Sequence, residues 1–237
     1  MAASGPRAPR RHVIFNADDF GASTGINRGI VECHRRGVVT STSLMVDGGA
    51  AREAAALAQD HPGLAVGLHF DVVGEDDRNF DLDDTAAVGT EFRRQLGRFV
   101  DLIGRAPTHI DSHKHTHRRP HLFPLFREWV APLKVPLRDD GRVKYVGGFY
   151  AQWEWKVTDL DYVSVAFLVK ILREEAAPGW TEFSCHPGYM TPDFTSVYGA
   201  EREAEIHTLT DPKVRATIDA LGYVLVSYAH FAAEPAR

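Results

Sequence analysis

Short apolar runs alternate with stretches of helical period along most of the chain, the pattern of βαβ units around a parallel sheet. "HVIFNADDFG" predicts a buried strand, Val13 to Asn16, running into a carboxylate-bearing turn. "TGINRGIVECHRRGV" follows with Ile26, Ile30 and Cys33 on one helix face and Gly37 closing it. "VTSTSLMVDG" predicts a second strand, "AAREAAALAQDHPG" a helix stopped at Gly63, and "LAVGLHFDV" a third strand carrying His69 near its end. Residues 71–88 are acidic and aperiodic and are expected to form a long loop. "EFRRQLGRFVDLIGR" then places Phe92, Leu96, Phe99, Val100 and Ile103 on one helical stripe.

Beyond it, "PTHIDSH" predicts a fourth strand, "LFPLFREWVA" a brief helix and "KVPLRDD" another strand. "DYVSVAFLVKILREEA" predicts a helix and "WTEFSCHPGY" a late strand ending in a Cys-His-Pro-Gly turn. "DPKVRATIDALG" and "YVLVSYAHF" predict a last helix and strand. There is no internal repeat, and one α/β domain over 12–237 accounts for the pattern. The opening "MAASGPRAPRR" is small, basic and proline-bearing, with no apolar stretch behind it, and is expected to be a disordered leader over 1–11.

A chain of 237 residues is long enough for one α/β barrel. A composition 44% hydrophobic and 25% charged is that of an ordinary globular protein. A net charge of −5 lacks the basic excess of nucleic-acid binders, and no apolar run reaches the length of a transmembrane segment. Cys33 and Cys185 have neither metal-type nor disulfide-framework spacing, which makes a cytoplasmic location the expectation.

The chemistry gathers at strand ends. "NADD", "GLHFD", "HIDSH" and "SCHPG" each follow an apolar run at its C-terminal side, where α/β barrels collect functional groups from separate strands. Taken singly, each has an ordinary explanation. Paired aspartates cap helices, a lone strand histidine is more often a satisfied core residue, and His186 fits a turn. "HIDSHKHTHRRPH" packs five of the twelve histidines into 109–121. Fully extended, His109, Asp111, His113, His115 and His117 would line one face over about 26 Å, too far for one ion with bonds near ~2 Å. At most one or two of them can bind a cation directly, and His113, just past the strand end, is the best placed. Asp111 is suited to orient a neighbouring ring N–H. His115 and His117 are expected to face a substrate mouth or solvent, and His121 to have no role. His186 is of the type that protonates a leaving amine. No nucleophile elbow, phosphate-binding loop or dinucleotide fingerprint is present. One carboxylate and two histidines make a common hydrolytic ligand set, so spacing alone reaches a metal-dependent hydrolase.

Together, "NADDFG", "GINRGI", "GVVTSTSLMV", "VGLHFDV", "PTHIDSHKHTH" and "SCHPG" resemble, in order and over most of the chain, the YdjC-like carbohydrate deacetylases, which include chitooligosaccharide deacetylases and hopanoid-biosynthesis-associated members. The resemblance implies a distorted, TIM-barrel-like (β/α) barrel that removes an acetyl group from an N-acetylated sugar with one divalent metal, Mg²⁺ or Zn²⁺. Carried over by motif, it implies Asp19, His69 and His113 as metal ligands, Asp18 as general base and His186 as acid. It further implies Arg138 and Arg202 as groups that contact substrate or brace the site, and a homodimer. Two rival readings remain: a metal-dependent hydrolase of another amide or a phosphoester, and a non-catalytic sugar-binding protein on the same fold.

Overall fold

The computed structural model describes residues 11–75 and 78–233. The expected leader lies outside the described residues except for Arg11, which opens the first strand. Seven strands form one wholly parallel sheet: β1 (Arg11–Phe20), β2 (Ser41–Leu44), β3 (Ala65–Phe70), β4 (Ile110–Ser112), β5 (Lys144–Val146), β6 (Gly179–Cys185) and β7 (Val224–Leu225). The order is β4-β3-β2-β1-β6-β5, with β7 beside the start of β1. Leu137 bridges to Ile110 on the far side of β4. The residues between Leu137 and β5 therefore link the two edges of the sheet, which curls into an incompletely closed barrel.

Helices α1 (Thr24–Arg36), α2 (Ala51–Asp60), α3 (Thr85–Ile103), α4 (Phe123–Val130), α5 (Val165–Glu175), α6 (Ala200–Thr210), α7 (Pro212–Ala220) and α8 (Tyr228–Ala233) complete the architecture. No helix among the described residues is long and apolar enough to cross a membrane. Sequence chemistry sets several of their ends. Ser23 accepts from the Ile26 amide to cap α1, Asp84 accepts from Ala86 and Ala87 to start α3, and Gly104 closes α3 in the left-handed conformation.

Alternation along β1 divides two environments. Val13, Phe15 and Ala17 join the main apolar core beneath the helices, while Ile14 packs in a small second cluster with Ala65, Val143, Val226 and Tyr228. Higher in the barrel the interior becomes polar, with Asn16, Asp18, Ser43, His69, Asp111 and Glu182 all buried. Gly67 makes room there: a Cβ on it would lie 2.4 Å from the His109 ring. On the outside, Phe70, Phe92 and Phe126 pack at 5.3–6.0 Å between centroids and fix α3 and α4 against β3.

The expected barrel is present, with five local differences. The acidic stretch 71–88 gives way to helix at Thr85, and residues 76–77 within it lie outside the described residues. The buried face of α3 runs through Val88, Phe92, Gln95 and Phe99, and Val100 is 42% exposed. "KVPLRDD" forms only the Leu137 bridge, and the strand falls later, at Lys144–Val146. The closing strand is only Val224–Leu225, because β2 takes over that edge of β1 from Asn16 onward; the chain then turns into α8. Helix α6 has no counterpart among the predicted elements. It buries Glu201, Arg202 and Glu205 together with Ile206, Thr208 and Leu209, so charged residues interrupt the apolar stripe that announces a helix.

Candidate active site

Two adjacent aspartates reach one site because the strand breaks its alternation. Asp19 has φ 68°, and the β1–β2 register shifts between Ala17 and Phe20. A regular strand would send neighbouring side chains to opposite faces. The left-handed residue instead turns both carboxylates into the same cavity, a form of local strain typical of functional sites.

Asp19 Oδ2 accepts from Arg202 Nη2 at 2.7 Å. Its Oδ1 lies 3.3 Å from both His69 Nε2 and His113 Nδ1, roughly the separation of two ligands held at about 2 Å by one ion. His69 is oriented from behind, with Nδ1 2.7 Å from Asp111 Oδ1 and its other nitrogen directed at Asp19. Asp19 Oδ1, His69 Nε2 and His113 Nε2 are buried without a hydrogen-bond partner. Ligand atoms of the three residues lie within 4.8 Å of one another. This donor set fits a divalent cation.

Asp18, His69 and Asp111 also converge within that distance. A cation is already supplied there by the protein itself. Arg138 donates to both oxygens of Asp18 at 2.7 Å, lies 2.8 Å from Asp111 Oδ2, and donates to Glu182 Oε1 at 2.6 Å. The guanidinium therefore occupies the centre of this carboxylate cluster, which leaves Asp19, His69 and His113 as the group that could hold a cation.

The same charges set protonation. Burial is the largest single influence on the Asp18 and Asp111 carboxylates and penalises their charge, but Arg138 and His69 together overcome it and hold both below the usual range. For Glu182 burial wins and its pKa is raised. Burial opposes a charged His69, yet Asp111 and Asp19 carry its pKa well above the ordinary value. His186 stands with Nε2 3.9 Å from Asp18 Oδ2, and burial lowers its pKa to about 4 against the pull of Asp18 and Asp19.

The cavity of about 370 Å³ brings together Asp18, Asp19, His69, His113, His115, His186 and Arg202 of the sequence-derived set. Arg138 and Asp111 lie beneath it as braces. His115 lines its wall, with Nε2 3.2 Å from the Tyr145 hydroxyl. His117 departs from expectation: it faces neither mouth nor solvent. Lys114 and His115 are both left-handed, at φ 48° and 50°, so extended parity ends at His113. His117 turns inward and is fully buried, with Nδ1 2.6 Å from Ser112 Oγ and Nε2 3.2 Å from the Arg138 carbonyl. Half-exposed His121 lies 3.0 Å from the Leu82 carbonyl, away from the cavity.

Glu182, Tyr145 and Glu75 were not singled out from the sequence. Glu182 carried a signal, since it shares strand parity with Ser184 and His186 in "WTEFSCH". Tyr145 and Glu75 lie in segments without a periodic pattern. Glu75 lies 3.7 Å from His113 Nε2 and 3.8 Å from Arg202 Nη2.

Fold and site together define a parallel (β/α)-barrel protein with a cation-ready carboxylate–imidazole centre at its strand ends. The chain belongs to the YdjC-like protein family, whose model matches residues 12–220. It is 34% identical to the chitooligosaccharide deacetylase of Serratia marcescens, covering 91% of this chain and 97% of that protein. It is 36% identical to the carbohydrate deacetylase of Geobacillus stearothermophilus, covering 93% and 98%. Among solved structures, a putative cellobiose-phosphate cleavage protein from Enterococcus faecalis shares the fold with a TM-score of 0.82 at 24% identity, covering 94% of this chain and 99% of that one. A family 4 carbohydrate esterase from Streptomyces lividans, solved with acetate, aligns with a TM-score of 0.57 at 14% identity, covering 93% of each.

Proposed function

We propose that the protein is a metal-dependent carbohydrate deacetylase, hydrolysing the acetamide of an N-acetylated sugar or glycoconjugate to a free amine and acetate. The observation that carries this is the convergence of Asp19, His69 and His113, each with one buried polar atom that lacks a hydrogen-bond partner, in the same cavity as Asp18 and His186. The names of the curated relatives agree with it.

Asp19, His69 and His113 would hold the ion; two imidazoles favour Zn²⁺ and the carboxylate accepts Zn²⁺ or Mg²⁺. A divalent cation there supplies Lewis-acid polarisation of the amide carbonyl and acidifies a water. Asp18, kept ionised by Arg138, takes the proton of the attacking water. His186 is neutral beforehand, and its Nε2 lies beside Asp18 Oδ2, so the captured proton has a short path to it. From His186 the proton goes to the departing nitrogen, and acetate leaves with the water oxygen. Arg138 and Arg202 are committed to carboxylates, so neither is available to cradle a phosphate.

Two buried free cysteines, Cys33 and Cys185, support a cytoplasmic location. A homodimer is carried forward from the resemblance alone. The test is acetate release across N-acetylated sugars, with and without chelator. Release that chelation abolishes is expected; no release from any acetylated sugar would turn the assignment to another hydrolase or a binding protein.

A further inference from the structure

The two imidazoles beside Asp19 each have one nitrogen turned to its carboxylate and one turned away. His69 has Nε2 3.3 Å from Asp19 Oδ1, and its second nitrogen, Nδ1, lies 2.7 Å from Asp111, which Arg138 approaches at 2.8 Å. His113 has Nδ1 3.3 Å from the same Asp19 oxygen, and its second nitrogen, Nε2, is buried without a hydrogen-bond partner. The carboxylate on that side is Glu75, with Oε1 3.7 Å from Nε2. It too has an arginine beside it: Arg202 Nη2 lies 3.8 Å from Glu75 Oε1 and donates to Asp19 Oδ2 at 2.7 Å. The turn after β3 delivers Glu75 to this spot. Asp71 Oδ1 accepts from the Val73 and Gly74 amides at 2.9 and 2.8 Å, Gly74 takes φ 62°, and Glu75 comes to line the cavity. Ser196 Oγ donates to Glu75 Oε2 at 3.0 Å, which leaves Oε1 for His113.

A neutral imidazole carries one N–H. With the Nδ1 lone pair of His113 given to a cation, that hydrogen sits on Nε2, which is closed to water and needs an acceptor. We infer that Glu75 is a positioning residue: it accepts the Nε2 hydrogen of His113 and so fixes the ring and its tautomer for the cation, as Asp111 does for His69. This rests on Asp19, His69 and His113 holding the cation, and it gives the acidic loop after β3 a role. Among the described residues, neither group of converging carboxylates and imidazoles includes Glu75, so its part is to orient a ligand and not to be one. The 3.7 Å separation exceeds the about 2.9 Å of an N–H···O bond. Committing Nδ1 to the cation places the hydrogen on the side that Glu75 faces.

The test measures Zn²⁺ affinity of the full chain by competition with a chromogenic chelator, beside urea unfolding of the metal-free protein. Glu75→Ala should weaken Zn²⁺ binding by about 10–100-fold. Glu75→Gln, whose side-chain carbonyl reaches equally far and still accepts, should stay within about three-fold of wild type. Glu75→Asp keeps the charge but is one methylene short, and should bind as weakly as Glu75→Ala. The metal-free urea midpoints of all four proteins should coincide. Equal Zn²⁺ affinity of wild type and Glu75→Ala overturns the proposal. So does the reverse order, with Glu75→Asp near wild type and Glu75→Gln as weak as Glu75→Ala, which would make Glu75 a bare charge. A metal-free midpoint that falls in step with affinity overturns it as well, being the mark of a structural role. Should Glu75→Ala fail to fold, the order of Glu75→Gln and Glu75→Asp decides. A wild type that binds no Zn²⁺ removes the ion site and the role of Glu75 with it, whereas every other negative result leaves the ion site standing.

Discussion

Arg138 holds both oxygens of Asp18 at 2.7 Å from the centre of the barrel, and the same guanidinium serves Asp111 and Glu182. Arg138→Met should therefore destabilise the fold by about 3–5 kcal/mol, because it leaves buried carboxylates without their cation. Urea unfolding measures the loss. Adding Glu182→Gln to that variant should recover part of it, since one of the stranded charges is removed; no recovery would mean that the packing of Arg138 matters more than its charge.

Asp18 and His113 sit in one cavity but are predicted to fail differently. Asp18→Asn should keep the metal and lose turnover by about 10²-fold or more, as expected for removal of a general base. His113→Ala should lose the metal itself. Metal analysis of the two purified variants checks this, and equal metal loss in both would remove the division of roles.

Metal uptake should expel a proton. In the metal-free protein His69 carries its pKa well above the ordinary value, so the protonated ring stabilises the fold and that contribution is lost as pH rises through the raised pKa. The cation needs the same Nε2 free of its proton. Affinity should therefore fall as pH falls, and the thermal stabilisation gained from added metal should be larger at about pH 8 than at about pH 6. Thermal unfolding with and without metal at both values measures it.

Glu205 supports the His186 turn from below. It accepts from the His186 amide and, at 2.7 Å, from the Tyr198 hydroxyl, and burial pushes its pKa up to about 8 from an ordinary 4.5. The folded state keeps this proton longer than the unfolded chain does. Its contribution to stability is complete below the unfolded value and is lost as pH rises through about 8. Glu205→Gln should flatten that decline, most visibly as a smaller difference between urea midpoints measured near pH 5 and near pH 8. An unchanged difference would show that Glu205 does not titrate in this window.

Turning His117 inward also makes it a structural residue. His117→Ala strands the Arg138 carbonyl and leaves the Ser112 hydroxyl with only the backbone amide of residue 117, and should cost about 1–3 kcal/mol in urea unfolding. The KM of the folded variant should stay within about two-fold of wild type, because the ring does not line the cavity.

The order of strands and helices was legible because each buries a face whose period is written locally: Val13, Phe15 and Ala17 toward the helices, Ile26, Ile30 and Cys33 toward the sheet. The chemical groups were legible for the same reason, since Asp18, His69, His113 and His186 each close an apolar run. Helix α6 was not, because charged Glu201, Arg202 and Glu205 share its buried face with Ile206 and Leu209, and those charges find their partners on other elements. Sequence alone could not show that Asp19 would turn back beside Asp18, or that His117 would leave the parity of His113. Both follow from left-handed residues that the surrounding packing over-determines. Nor could it place Arg138 among three carboxylates drawn from β1, β4 and β6. Local periodicity sets which side chains are buried; only the closure of the sheet decides which buried charges meet, because a Coulomb contact depends on distance in space and carries no period along the chain.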